Sequence, residues 1–192
     1  MNNPLKIVIL ELLNELTLPI SEYQLIQHIK QKLDPFPTLS KNDSVALFQI
    51  NFLVMNALYQ LQQALTHEQI YLVISPLGIE FQPLHQQEGN ERAISLHVDS
   101  RLSEYYLDWS HFENTGEQEV EALLKQFWTH FSHTDRAEKA YQTLAISPQS
   151  SWPEIKSAYR QQALVHHPDK GGQPSQFIEI RQAYEVLKAL HP

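Results

Sequence analysis

The chain has 192 residues, 42% of them apolar and 19% charged, with a formal net charge of −8. By the usual span of about 100–200 residues per domain this is one large domain or two small ones, with enough apolar content for a packed core and too little charge for a disordered acidic chain. The absence of cysteine excludes a disulfide framework, a thiolate metal site and a catalytic thiol, and it suits a reducing compartment, so a soluble cytoplasmic protein is expected.

Charge is unevenly placed. Residues 1–130 carry seven Lys or Arg against sixteen Asp or Glu, a formal −9; residues 131–192 carry seven against six, a formal +1. An acidic first part disfavours phosphate backbones and anionic lipid. The change of sign is a first mark of a boundary.

Leu5, Val8, Ile9, Leu12, Leu13 and Leu16 recur at helical spacing and predict an amphipathic first helix. Lys6, Glu11, Asn14 and Glu15 interrupt the run, which lacks the order of a signal peptide. After Leu18-Pro19-Ile20, Ser21 with Gln24 predicts a capped second helix with Tyr23, Leu25, Ile26, Ile29 and Leu33 as its apolar positions. Asp34-Pro35-Phe36-Pro37 ends it. Ser40 or Asp43 then caps a third helix, Ser44–Leu65, apolar almost all round and so expected to be a buried axis. The run Val45–Leu61 holds Gln49, Asn51, Asn56 and Gln60, and is expected to be too polar and too short to span about 30 Å of hydrocarbon.

Ile70–Ile74 and Ile79–Phe81 flank Ser75-Pro76-Leu77-Gly78, a turn sequence, and predict a β-hairpin. Ile94, Leu96 and Val98 alternate as a third short strand would. Tyr105, Tyr106, Trp109 and Phe112 form an aromatic cluster without a readable local structure. Thr115 with Gln118 opens a helix over 119–131. Three helices followed by a hairpin is the order of a winged-helix module, an analogy that carries no function.

The remainder reads as three helices. Ala140, Tyr141 and Leu144 mark the first. Ser150 or Ser151 caps the second, with Pro153 in its first turn, and it runs to about His166. His167-Pro168-Asp169 and Lys170-Gly171-Gly172 follow. A last helix from about Ser175 to Leu190 aligns Phe177, Ile180, Ala183, Tyr184 and Leu187. On the second helix Lys156, Arg160 and Leu164 share one stripe, while Ile155, Ala158, Tyr159 and His166 are expected on the opposite side. Two cations beside an apolar side chain suit an acidic surface.

The segments Ile155–Arg160, Ala163-Leu164 and His166–Lys170 resemble the second helix and loop of the J-domain family. Ala140–Leu144 is similar to its first helix, and Phe177–Ile180 with Ala183–Leu187 to its third. The family departs from this chain at Gln162, usually leucine, and at Pro153 and Val165, commonly basic. The resemblance implies a co-chaperone that stimulates ATP hydrolysis by a DnaK-type chaperone without itself attacking ATP. It implies contact through His167, Pro168, Asp169, Lys156, Arg160, Leu164 and Lys170, with no cofactor. A Cys-rich zinc module and a Gly/Phe-rich linker are not expected from no cysteines and five glycines. The layout, together with Tyr105–Ser110 and Glu119–Leu124, resembles bacterial DnaJ-related proteins.

The expected architecture is mainly α. Residues 1–131 form a helical domain with a small hairpin, serving as client or targeting adaptor, and residues 136–192 form the J domain with its helical hairpin. His130, His133, Asp135 and His111 form no recognised zinc pattern, and no metal site is assigned. The alternative function is a winged-helix-like DNA-binding regulator with an appended J domain. It ranks second because Ser44–Leu65 has no Lys or Arg for phosphates.

Overall fold

A computed structural model describes residues 2–33, 43–68, 70–75, 77–83, 101–113 and 134–191. The described chain is mainly helical with one two-stranded antiparallel sheet. Its elements are α1 (Leu5–Glu15), α2 (Glu22–Lys32), α3 (Asp43–Thr66), β1 (Ile70–Ser75), β2 (Gly78–Pro83), α4 (residues 101–107), α5 (Ser110–Glu113), α6 (Thr134–Thr143), α7 (Trp152–Val165), a 3-10 turn (Pro168–Lys170) and α8 (Pro174–Leu190). The expected strand at 94–98, the helix over 119–131 and the Ser40 cap lie outside the described residues. The first described element after residue 113 is α6 at Thr134.

The three-helix-then-hairpin order is present. Ser21 Oγ accepts the Gln24 amide at 3.2 Å while Gln24 Oε1 accepts the Ser21 amide at 3.1 Å, closing the box that starts α2. Tyr23, expected on the apolar face of α2, is 72% exposed; it follows Glu22 in the first turn, off the stripe of Leu25, Ile26 and Ile29. The hairpin pairs Ile70 with Pro83 through Ser75 with Gly78. Ile20 exchanges both backbone hydrogen bonds with Ile79, so the connection before α2 lies along β2. Gly78 has φ +149°, and a Cβ there would stand 2.7 Å from Pro19, so both backbone and space require glycine.

α3 is the buried axis of the first part: Phe52, Leu53, Val54, Ala57, Leu58, Tyr59 and Leu61 are fully buried. Its polar residues are bonded inside the fold, which offsets their desolvation. Asn56 accepts from Asn3 and donates to the Tyr106 carbonyl at 2.7 Å, and Gln62 donates to the Leu72 carbonyl at 2.8 Å. At 24 residues and about 1.5 Å per residue, α3 is long and apolar enough to cross a membrane by length and composition alone, contrary to the expectation of too short a run. Most of its side chains from Gln49 onward are instead buried in this core. The aromatic cluster packs on it: Phe52 lies 5.3 Å from Phe112, 5.7 Å from Tyr106 and 6.1 Å from Trp109, ring centre to ring centre.

α1 departs most from expectation. Besides the stripe of Leu5, Val8, Ile9, Leu12 and Leu13, it buries Lys6, Ile7 and Leu10. The cause is α8, which packs against α1 as well as against α6 and α7. The two units therefore share one continuous apolar core.

Candidate functional site

The site is built on the α7–α8 hairpin. Ser151 starts α7, its amide and hydroxyl both donating to Glu154 Oε2 at 2.6 and 2.8 Å. Pro153 sits in the first turn, where its missing amide hydrogen leaves no bond unmade. Ile155, Tyr159 and Ala163 are buried. The Lys156, Arg160 and Leu164 stripe is one residue on, about 100° round the helix rather than opposite it. Arg160 and Leu164 are exposed, whereas Lys156 is half-buried with its ammonium 5.7 Å above the Trp152 ring. Ala158 and His166, expected to face the partner helices, are only half-buried.

The loop is tightly closed. The His167 carbonyl accepts the amides of Lys170 at 2.9 Å and Gly172 at 3.0 Å, and the Pro168 carbonyl accepts that of Gly171 at 3.0 Å. Gly171 takes φ +82°, and a Cβ on Gly172 would meet the His166 carbonyl oxygen at 2.2 Å. Lys-Gly-Gly is thus the sequence that lets the 3-10 turn fold back onto α7. Pro168 is half-buried, Lys170 is exposed, and the Asp169 backbone lies within the turn. The hairpin brings Lys156, Arg160, Leu164, His167 and Lys170 to one cleft.

The His167 residue is half-buried and its ring is held on two sides. It stands edge-on to Phe177 at 5.6 Å, and its Nε2–H donates to the backbone carbonyl of Glu68, just beyond α3. The Glu68 carboxylate accepts from Arg181 Nη1 at 2.5 Å and from the Tyr159 hydroxyl. Arg181 Nη2 donates to Glu185 at 2.6 Å, and Glu185 accepts from Lys6 of α1 at 2.9 Å. Gln182 reaches Glu11 on α1 at 2.9 Å. A polar chain therefore ties the loop and α8 to the first unit.

Burial and charge set the proton affinities of this chain. Burial works against the Arg181 charge, but Glu185, then Tyr159 and Glu68, outweigh it and lift its pKa above the ordinary arginine value. Burial pushes the Tyr159 phenol well above its usual range, against the pull of Arg181. Burial would raise the Glu185 carboxyl, yet the charges of Lys6 and Arg181 prevail and hold it at about 2. Arg181 and Glu185 are therefore charged at neutral pH, while burial lowers the pKa of the Lys6 ammonium against the pull of Glu185.

Reading by residue type missed Lys6, Glu68, Arg181 and Glu185. A signal existed for two of them. Arg181 and Glu185 are four apart on α8, in line with Ile178, a second stripe beside that of Phe177, Ile180, Ala183 and Leu187. Of the residues weighed for a metal, His111 stacks on Tyr105 at 4.3 Å, while His130 and His133 lie outside the described residues.

The helical hairpin with its His-Pro-Asp turn is that of a J domain, and residues 139–190 match the profile of the DnaJ domain. Residues 3–131 match the profile described as DNA-J related protein, and the chain belongs to that family. Among curated proteins it is 51% identical over 49 residues to "DnaJ protein homolog" of Cucumis sativus and to "Chaperone protein dnaJ A6" of Oryza sativa subsp. japonica, spans covering 26% of this chain and 12% of each relative. It is 42% identical over 76 residues to "DnaJ homolog 1, mitochondrial" of Schizosaccharomyces pombe, covering 35% of this chain and 14% of that protein. The likeness to these relatives thus spans a small part of their length. No solved structure matches.

Proposed function

We propose that this protein is a co-chaperone whose J domain stimulates ATP hydrolysis by a DnaK-type chaperone, with residues 1–131 as client or targeting adaptor and residues 136–192 as the J domain. The observation that carries the reading is the closed His167-Pro168-Asp169 turn at the end of α7, beside the exposed Arg160, Leu164 and Lys170. Lys156 completes the cationic stripe. Such a surface suits an acidic partner. Its action is a shift of the chaperone's own conformational equilibrium. A cysteine-free chain suits a reducing compartment, and the protein is read as cytoplasmic.

The DNA-binding alternative loses ground on one observation. The helix that would enter a groove, α3, has its apolar side chains from Ile50 onward largely buried in the core and bears no Lys or Arg. The test of the main reading is single-turnover ATP hydrolysis by a purified DnaK-type chaperone. The wild-type protein accelerates it, and His167→Gln or Asp169→Asn abolishes the effect with helix content unchanged. Equal stimulation by Asp169→Asn overturns the reading.

A further inference from the structure

Beside α7 lies an open cleft of 660 Å³ with walls from both units. Ala64, His67 and Glu68 at the end of α3 form one wall, and Lys156, Arg160 and Leu164 line the J-domain side. Lys170, Arg181 and Lys188 add three further cations. Glu68 is the one carboxylate among the described residues lining the cleft. Its side chain is held by Arg181 and Tyr159, and its backbone carbonyl by His167. The place in this cationic cleft best equipped to bind a carboxylate is thus filled by the protein's own first unit.

The contact that fills it is incompletely packed. A cavity of about 70 Å³ lies between Leu10, Leu65 and Phe81 on one side and Pro168, Phe177 and Ile178 on the other. Atoms lining a void forgo dispersion contacts, so parting the surfaces beneath the loop loses less than parting a close-packed core.

Resting on the proposed co-chaperone role, we infer that the end of α3 is one wall of the surface that receives the chaperone, and that Glu68 stands in the free protein where a carboxylate of an acidic chaperone segment binds. Docking then exchanges one carboxylate for another. The incoming acid is favoured by Lys156, Arg160 and Lys170, and it must displace Glu68 from Arg181, Tyr159 and His167. The share of molecules with Glu68 withdrawn sets the apparent affinity.

The test uses the full chain, with stimulation of a purified DnaK-type chaperone titrated for wild type, Glu68→Gln and Glu68→Asp. Hydrogen exchange of the His167–Gly172 amides is followed without chaperone. A charge-assisted hydrogen bond contributes enough that Glu68→Gln should lower the half-maximal concentration by about threefold to tenfold. Loop exchange should accelerate in parallel. Glu68→Asp, which keeps the charge one methylene further back, should move both readouts the same way by less, and it decides the matter if the glutamine variant is misfolded. A half-maximal concentration unchanged or raised, in variants that keep wild-type helix content, overturns the inference and leaves the co-chaperone role standing. Failure of wild type and both variants to stimulate overturns that role and the inference with it.

Discussion

Lys6 and Glu185, 179 residues apart in sequence, lie 2.9 Å from nitrogen to oxygen with 6% and 1% of their side chains exposed. The pair joins the first helix of the first unit to the last helix of the J domain, out of contact with water. Removing one partner of a buried pair leaves an uncompensated charge, at a cost of about 3–5 kcal/mol. The two partners are not equivalent, because Glu185 also binds Arg181. Lys6→Met leaves Glu185 paired with Arg181 and should cost about 1 kcal/mol. Glu185→Gln leaves Lys6 buried without its partner and Arg181 with Glu68 alone, and should cost several times more. Urea midpoints of the two variants check the ordering, and equal losses would contradict it.

Acid should part the two units. A carboxyl held at about 2 when folded and near 4.5 when unfolded contributes stability that is fully present above about pH 4.5 and is lost as pH falls through about 2. That difference corresponds to about 3 kcal/mol. Unfolding by urea, repeated at steps down from pH 5, should show wild type losing stability faster than Glu185→Gln. Parallel pH profiles for the two proteins would assign the acid sensitivity elsewhere.

Chaperone affinity should respond to salt through the α7 stripe. Arg160 is exposed, so its attraction for an acidic partner is screened within about 8 Å at physiological ionic strength. Arg160→Ala should weaken binding, and raising the salt should bring wild type towards the variant. Leu164, 57% exposed, contributes apolar contact, so Leu164→Ala should weaken binding by a factor that salt does not change. Binding titrations at three salt concentrations separate the two.

The paired glycines of the loop should differ in tolerance. Gly171 has φ +82° and nothing within 4 Å of an added Cβ, so Gly171→Ala meets backbone strain alone, about 1–2 kcal/mol. Gly172→Ala drives a methyl into the His166 backbone, which has no flexible end to yield. It should cost more and should abolish chaperone stimulation by opening the turn. Thermal midpoints with single-turnover assays rank the two, and a fully active Gly172→Ala protein would refute this account of the loop.

Duplex DNA should not be a ligand. Residues 1–130 carry a formal −9, and counterion release needs basic side chains. The whole chain at low salt should leave a labelled duplex unshifted at micromolar protein. A shift would revive the alternative regulator.

The β-hairpin, the Ser21 box and the α7–loop–α8 hairpin were legible because each rests on chemistry within a few residues: a cap and its partner, a four-residue turn sequence, an apolar stripe. The docking of the two units was not, since Glu68 and Arg181 are 113 residues apart and nothing local marks them as partners. Ile7 and Leu10, apolar yet off the main stripe of α1, were the readable trace of a second packed face. The exposure of Tyr23 was misread for the converse reason, because an aromatic at helix spacing can lie at the margin of a stripe and remain outside.

α8 has a further consequence for how the chain can be divided. Ile178 and Arg181 line the cavity shared with Leu10 and Leu65, while Phe177, Ile180, Ala183 and Leu187 are buried in the same helix. A cut in the segment before α6 would bare Leu10, Leu65 and Phe81 on one fragment and, on the other, part Arg181 from Glu68 and Glu185 from Lys6, leaving the two α8 residues only each other. Each fragment would be stickier and less soluble than the parent. A partner captured by either fragment alone would therefore need to be recaptured by the uncut chain before it counted as a ligand.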